Sequence, residues 1–445
     1  MVSKSTIAAI RFGYGFGPDF SVPNSADSVF AELHAGAGSA PRLDESTKRL
    51  ALLNEFLDAK GDGQRRKDLT QTARHRALAT IAAQIERRAF ARHPFFERLS
   101  AFWADHFTVS SRTLRRHYFL GSYEDDTIRP TMTGRFADML KAVVRSPAML
   151  TYLDQVISIG PNSRVGRTRK RGLNENLARE VLELHTLGAG GPYSQSDVTE
   201  FAKLLTGFGA RRRSLRFRFK PNWAEPGAET VLGKSYGGDP ARPDHVDALL
   251  EDLAVHPATA QHLARKLAVH FVADRPDTGL VQHVAAAWTD GGGDLTRVYA
   301  AILEHPSSWS TPMQKVRRPD ELIAATLRAN GQSDWIGSAQ PHRRGRQILR
   351  AARTMGQTLF QPPGPDGWPE AAEAWITPQG LAGRLQFASA VGRRLAKRRQ
   401  SDPRDFAERL LGDTLRPETR FVVGAAPDRW EGFALAIASP EFNRR

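Results

Sequence analysis

Apolar residues recur at three- and four-residue spacing along most of the chain, as expected of helices that bury one face. The pattern predicts helices over residues 68–92, 133–154, 174–187, 194–208, 245–255, 257–273, 279–289, 294–305, 319–330, 342–355 and 378–398. End signals agree with several of these bounds. In "SQSD", Ser194 caps a helix and Asp197, three residues on, completes a capping box with Asp in the Glu position. "LGAGGP" closes the preceding helix with the glycines and proline expected just past a C-terminus.

Period two is convincing in one place. In "SLRFRFK", Leu215, Phe217 and Phe219 alternate with Arg216, Arg218 and Lys220, which puts the apolar side chains on one face of a strand. "ETVLG" at 229–233 is the expected return strand. The predicted fold is therefore mainly α, a multi-helix globular body with a small β-hairpin inserted near residues 211–235.

Breakers set the organisation. "GQSDWIGSAQP" at 331–341 reads as a linker between a main helical lobe, residues 1–330, and a C-terminal helical lobe, residues 331–445. Within the latter, "QPPGPDGWP" at 361–369 is a rigid loop, because its four prolines remove amide donors and fix backbone angles. Residues 158–172, "SIGPNSRVGRTRKRG", form a second loop filled by a basic run.

Composition narrows the chemistry. The absence of cysteine removes disulfides, thiolate zinc sites and cysteine nucleophiles, so a metal would rest on His, Asp, Glu or Asn. The net charge of +15 implies attraction to polyanions such as nucleic acid, anionic headgroups, acidic polysaccharide or a phosphorylated ligand. No run approaches the roughly 18 apolar residues of a membrane-spanning helix. The start "MVSKSTIAAIRFGYGFGP" breaks before a signal-peptide core is complete, so a cytoplasmic location is expected. "GYGFG" at 13–17 lacks the dinucleotide and P-loop frames, and neither a GxSxG elbow nor an HExxH helix is present.

The densest polar chemistry lies in "GLNENLAREVLELHTLGAGG", residues 172–191. At about 100° per residue, Glu175, Asn176, Arg179, Glu180 and Glu183 share an arc of roughly 140°. Leu177, Ala178, Val181, Leu182 and Leu184 lie opposite, and His185 falls on the apolar side. One reading is a surface helix in which Arg179 pairs with Glu175 and Glu183 at i, i+4, with His185 a core imidazole bonded to a carbonyl. The other is a polar site of Asn174, Glu175, Asn176, Arg179, Glu180, Glu183 and His185, its amides and free N–H groups at the helix start suited to an anion or ligand.

The chain also resembles a family. "NENLAREVLELHTLG" followed by "YSQSDVTEFAKLLTGF" is similar to the signature of the domain-of-unknown-function 1800 family, and so are "RFGYGFGP", "FWADHFTVS", "SPAMLTYLD", "GPNS", "ARKLAVHFVAD" and "QPPGPDGWP", in family order over nearly the whole chain. The resemblance implies a mainly helical protein without an assigned activity, often encoded beside a family related to the alkaline phosphatase and sulfatase superfamily and often exported. The chain departs from it at Ala224, where many members have histidine, and at Glu229, where many have lysine, which weakens any ligand role for the "EPG" turn.

If the signature helix is buried in such a body, its carboxylates must be paired, protonated or metal-bound. Glu180 and Glu183 would then supply oxygens to a divalent metal, with His106 of "FWADHF" as a third ligand. Alternatively His106 is a packed neutral histidine among Phe102, Trp103 and Phe107, and Asp105 a surface or capping group.

Two functions stay open. An enzyme would use Glu180 or Glu183 as general base or metal ligand, with the arginines of 164–171 drawing in an anionic substrate. A binding or assembly partner of a phosphatase-superfamily protein or an acidic polymer would use Trp368 and Trp375 as contacts. Nucleic acid is not the expected partner, because Phe217 and Phe219 share a face with Leu215 and are expected to be buried rather than free to stack on bases.

Overall fold

The computed structural model describes residues 2–18, 20–39, 46–120, 123–168, 172–311, 313–331, 340–398 and 402–445. The expected linker at 331–341 falls mostly outside the described residues. Helices dominate, and amphipathic segments fold where periodicity places them. Residues 319–330 form the helix Pro319–Asn330 and 378–398 the helix Pro378–Arg398. The predicted 133–154 segment is two helices, Phe136–Arg145 and Pro147–Tyr152, because Pro147 brings no amide donor and restarts the helix at its first position. The Ser194–Asp197 capping box is formed on both sides.

Two hairpins replace the single one expected. Phe208–Arg211 pairs antiparallel with Arg216–Phe219, and Gly227–Val231 with Lys234–Gly238. The run at 229–233 therefore does not return beside Phe217. Its end, Leu232 and Gly233, has positive φ at both residues, the backbone of a tight two-residue hairpin turn that closes the second ribbon on itself. The alternation holds for the two phenylalanines but not for Leu215: Phe217 and Phe219 meet Phe208 edge-on at 5.0 and 6.1 Å while Arg216 and Arg218 are exposed, whereas Leu215 lies in the turn before the strand at φ of 47° and packs on the separate cluster of Phe56 and Tyr118.

Apolar packing falls into two large clusters. The first gathers Phe12, Phe95, Trp103, Phe136, Phe201 and Trp288. The second joins Ile81 and Ile85 of the long helix Gly63–Ala89 and Leu322 and Leu327 of Pro319–Asn330 to residues of the C-terminal third such as Ile348 and Phe433. The second cluster thus draws on both sides of residue 330. Among the described residues no helix is long and apolar enough to cross a membrane.

The helix Pro94–His106 carries no readable stripe because it is buried on nearly every side. It gives Phe95, Leu99 and Trp103 to the first cluster and turns Glu97, Arg98 and Asp105 toward charged groups of other segments.

Candidate functional site

The start of the signature helix is occupied by structural bonds. Asn174 Oδ1 accepts from the Asn176 amide at 2.8 Å, and Asn174 Nδ2 donates to the Leu153 carbonyl at 3.3 Å. The Glu175 carboxylate accepts from Thr199 Oγ1 at 2.8 Å, Gln195 Nε2 at 2.9 Å and Arg179 at 3.2 Å. These bonds tie Asn176–Glu180 to the next helix, Gln195–Leu204, and lower the Glu175 carboxyl. Asn176 is exposed. Asn174, Glu175 and Arg179 thus serve as a helix clasp in which Asn176 takes part through its backbone amide, and the i, i+4 pair of Glu175 and Arg179 is present as expected.

Beyond Glu180 the helix changes pitch. Val181–Thr186 is a π-turn, wider than an α-turn, which slips the phase of the residues after it. Glu183 forms no ion pair with Arg179 and instead accepts from the Tyr193 hydroxyl. Glu180 is half-buried, and its carboxyl is pushed up to about 7 by burial, by Glu183 and by Asp366 of the Pro-rich loop. Its folded value lies above the ordinary one, so its contribution favours the fold below the unfolded value of 4.5 and is lost as pH rises through about 7. A Glu180→Gln variant should therefore gain thermal stability over the parent as pH rises from 4.5 to about 7 and hold the gain above it. Melting curves from pH 4 to 9 would check this, and parallel curves would contradict it.

His185 is buried, as its apolar-side position requires, and burial with Lys266 and His262 pushes its imidazole down to about 3. Its Nδ1 has no hydrogen-bond partner among the described residues. His106 is the packed neutral histidine. Its ring lies against Phe107 at 4.5 Å and its Nε2 donates to the His185 carbonyl at 3.3 Å. Among the described residues no three His, Asp or Glu side chains are grouped so as to hold a metal ion. Glu180, Glu183 and His106 do not converge, because His106 spends its donor inside an aromatic nest while the two glutamates lie on a half-covered edge.

The charge concentration is elsewhere, in a layer of buried ion pairs that the periodicity could not show. Arg87 reaches Glu124 at 2.9 Å and Asp125 at 2.5 Å, Arg129 reaches Glu97 at 2.8 Å, and Arg88 reaches Asp320 at 3.1 Å. Arg98 and Arg445 both hold Glu321, at 2.7 and 2.8 Å. Asp105 belongs to this layer rather than to a surface or cap: Arg318 donates to one of its oxygens at 2.6 Å and the Trp368 amide to the other at 3.1 Å. Gly367 lets the loop approach, since a Cβ there would stand 2.6 Å from the Asp105 carbonyl.

A cavity of about 150 Å³ opens into this layer. The helix Gly63–Ala89 contributes Ile85 and Arg88 to its wall, the 357–368 segment Phe360 and Trp368, and other segments Asp105, His117, Tyr123, Glu124, Arg318 and Asp320. Among the described residues Tyr123 Oη, His117 Nε2 and Asp320 Oδ1 are buried without a hydrogen-bond partner, although such atoms are satisfied in the great majority of cases. Burial, with Arg49, pushes the His117 imidazole down to about 3, so it is neutral. Burial raises the Tyr123 phenol, which stays protonated. Burial also raises the Asp105 carboxyl, with Arg318 opposing and Glu370 reinforcing the shift. Glu124 is held down at about 2, because Arg87, Arg88 and Arg129 outweigh its burial. Phe360, stacked on His117 at 3.5 Å between ring centres, has φ of 65°, a strained value for a bulky residue and one found disproportionately at functional sites.

Residues 7–444 match the family described as "Protein of unknown function (DUF1800)". The chain belongs to that family. No curated protein and no solved structure matches this DUF1800 chain. Of the family-like segments, "FWADHFTVS" supplies Asp105 and "QPPGPDGWP" supplies Trp368 to the cavity, whereas the signature helix lines none of it. Trp375 is 2% exposed and lies against Trp368, the rings tilted with centres 5.9 Å apart, so it is not a surface contact. Sequence reasoning missed His117, Tyr123, Arg318 and Asp320. The available signal was charge at positions flanked by apolar residues, as in "RRPDELIAATL".

Proposed function

We propose that this DUF1800 protein is an enzyme that holds a small, uncharged polar molecule in the 150 Å³ cavity and moves a proton on it through Asp105. The observation that carries this reading is that three residues of one cavity wall, Tyr123, His117 and Asp320, each have a buried side-chain polar atom without a hydrogen-bond partner among the described residues, and that a small shift of their side chains would bring those atoms to a ligand. Each unmet group costs about 1–3 kcal/mol, and a ligand that completes the bonds recovers much of that. The size suits a ring of roughly six heavy atoms, with Ile85, Phe360 and Trp368 as apolar walls.

An uncharged ligand fits better than the anion expected from the basic loops. Arg88 and Arg318 are engaged by Asp320 and Asp105, and an anion entering here would meet Asp105, Glu124 and Asp320 as well. Asp105 is suited to accept and return a proton, because burial raises its carboxyl above the ordinary carboxylate value while Arg318 fixes its orientation. Tyr123 would donate to a substrate oxygen.

Two measurements test this. Phenol and benzamide should raise the melting temperature of the parent, and Tyr123→Phe should weaken their binding by about tenfold while leaving benzene binding unchanged. In a cell extract followed by mass spectrometry, a compound consumed by the parent should survive with Asp105→Asn. If neither probe binds at millimolar concentration, or Tyr123→Phe binds both equally well, the cavity is not the site.

A second reading, an assembly role, draws on Phe421, 73% exposed, and Leu385, 58% exposed. A protein partner of the phosphatase superfamily would dock on one of these exposed apolar residues rather than on Trp375.

A further inference from the structure

A second feature lies apart from the cavity, where the helices Ser46–Asp58, Gly63–Ala89 and Leu114–Leu120 meet. Phe56 is buried there in a small apolar cluster with Tyr118 and Phe119. The guanidinium groups of Arg66 and Arg115 both stack on its ring, each 4.6 Å from the centre. Together with Lys67 and Arg74 they line an open groove beside Gly63, at the start of the long helix.

None of these four cations makes an ion pair with an acid among the described residues, and Asp68 is the single carboxylate on the groove wall. Asp68 itself accepts from Gln64 at 3.1 Å. Asp62 caps the helix through the Arg65 amide, and nearby Asp58 is taken by Arg213 at 2.5 Å. Burial, Arg66 and Arg74 all lower the Arg115 guanidinium below its ordinary value, as expected of a cation held among cations.

We infer that this groove binds a compact, multiply charged oxyanion, namely a pyrophosphate or the phosphate group of a small phosphate ester. Three observations favour a discrete site over a diffuse basic surface. One aromatic ring already fixes two guanidinium planes, so little of their freedom is left to lose on binding. Four cations face one carboxylate, a surplus of three that a pyrophosphate would largely neutralise. A helix N-terminus adjoins the groove, and its dipole adds to the attraction.

Titration calorimetry of the full chain with pyrophosphate at low salt tests the site, with Arg115→Gln and Arg66→Gln as variants. Pyrophosphate should bind the parent and raise its melting temperature, and each variant should bind at least about tenfold more weakly. Without ligand, Arg115→Gln should melt close to the parent, because the lost stacking on Phe56 is offset by relief of repulsion from Arg66 and Arg74. That last result separates a binding role from a structural one. Absence of pyrophosphate binding to the parent, or equal binding by both variants, would overturn the inference. So would a duplex oligonucleotide that displaces pyrophosphate and binds more tightly, since the groove would then belong to a nucleic-acid surface.

Discussion

Replacing Glu321 with glutamine is expected to cost about 3–5 kcal/mol of folding stability at neutral pH. The carboxylate is 4% exposed and accepts from Arg98 at 2.7 Å, Arg445 at 2.8 Å and the Arg318 amide at 3.0 Å. An amide offers one oxygen and turns two N–H donors toward guanidinium groups that can only donate, leaving buried positive charge uncompensated. The sign of the pH dependence follows. Burial alone would raise the Glu321 carboxyl, but Arg445, Arg98 and Arg318 outweigh burial and hold it well below the ordinary 4.5. Its stabilisation is therefore fully present above pH 4.5 and is lost progressively as pH falls below that value. Urea unfolding at pH 7 and pH 4 should show a large gap between parent and variant that narrows on the acid side. A gap under about 1 kcal/mol at pH 7 would mean that the pair is no stronger than a surface bridge.

The same cluster shows why the sequence reveals the frame better than the site. Amphipathic helices repeat their signal locally, so Phe136–Arg145 or Leu295–Glu304 can be read from ten residues each. Arg98 and Glu321 are 223 positions apart, and neither segment alone says that its charge is buried against the other. Pro94–His106 carries both kinds of residue on all sides and so lacks a stripe. At the signature helix the residue types were legible and their roles were not. Their bonds to Thr199 and Gln195 turn Glu175 into a clasp, and the π-turn at Val181–Thr186 takes Glu183 from Arg179 to Tyr193. The second hairpin was hidden for a different reason. Leu232 sits at φ of 52°, where sequence would sooner expect Asn or Gly, so its turn carried no local mark.

The cavity depends on this packing as much as on its own lining, and Gly345 tests that dependence. Residue 345 lies in the helix Pro341–Thr354 where it crosses Gly63–Ala89, and a Cβ there would stand 1.8 Å from the Leu78 carbonyl oxygen. The obstructing atom is backbone, so no rotamer change relieves the contact and the helices must separate. Gly345→Val is expected to cost about 3 kcal/mol or more, at or beyond the upper end for overpacked sites. Leu78 lies one turn before Ile81, which lines the cavity, so the shift should also weaken phenol and benzamide binding even though residue 345 touches neither. Gly38 provides the contrast. It lies in the last turn of the helix Ala26–Ser39 with no atom of the described residues outside that helix within 4 Å of an added Cβ, so Gly38→Ala should gain up to about 0.5 kcal/mol from helix propensity. Urea unfolding of both variants, with probe binding measured on each, decides the matter. A Gly345→Val protein as stable as its parent would mean that the two helices do not pack at this distance, and the cavity wall built on their crossing would have to be redrawn.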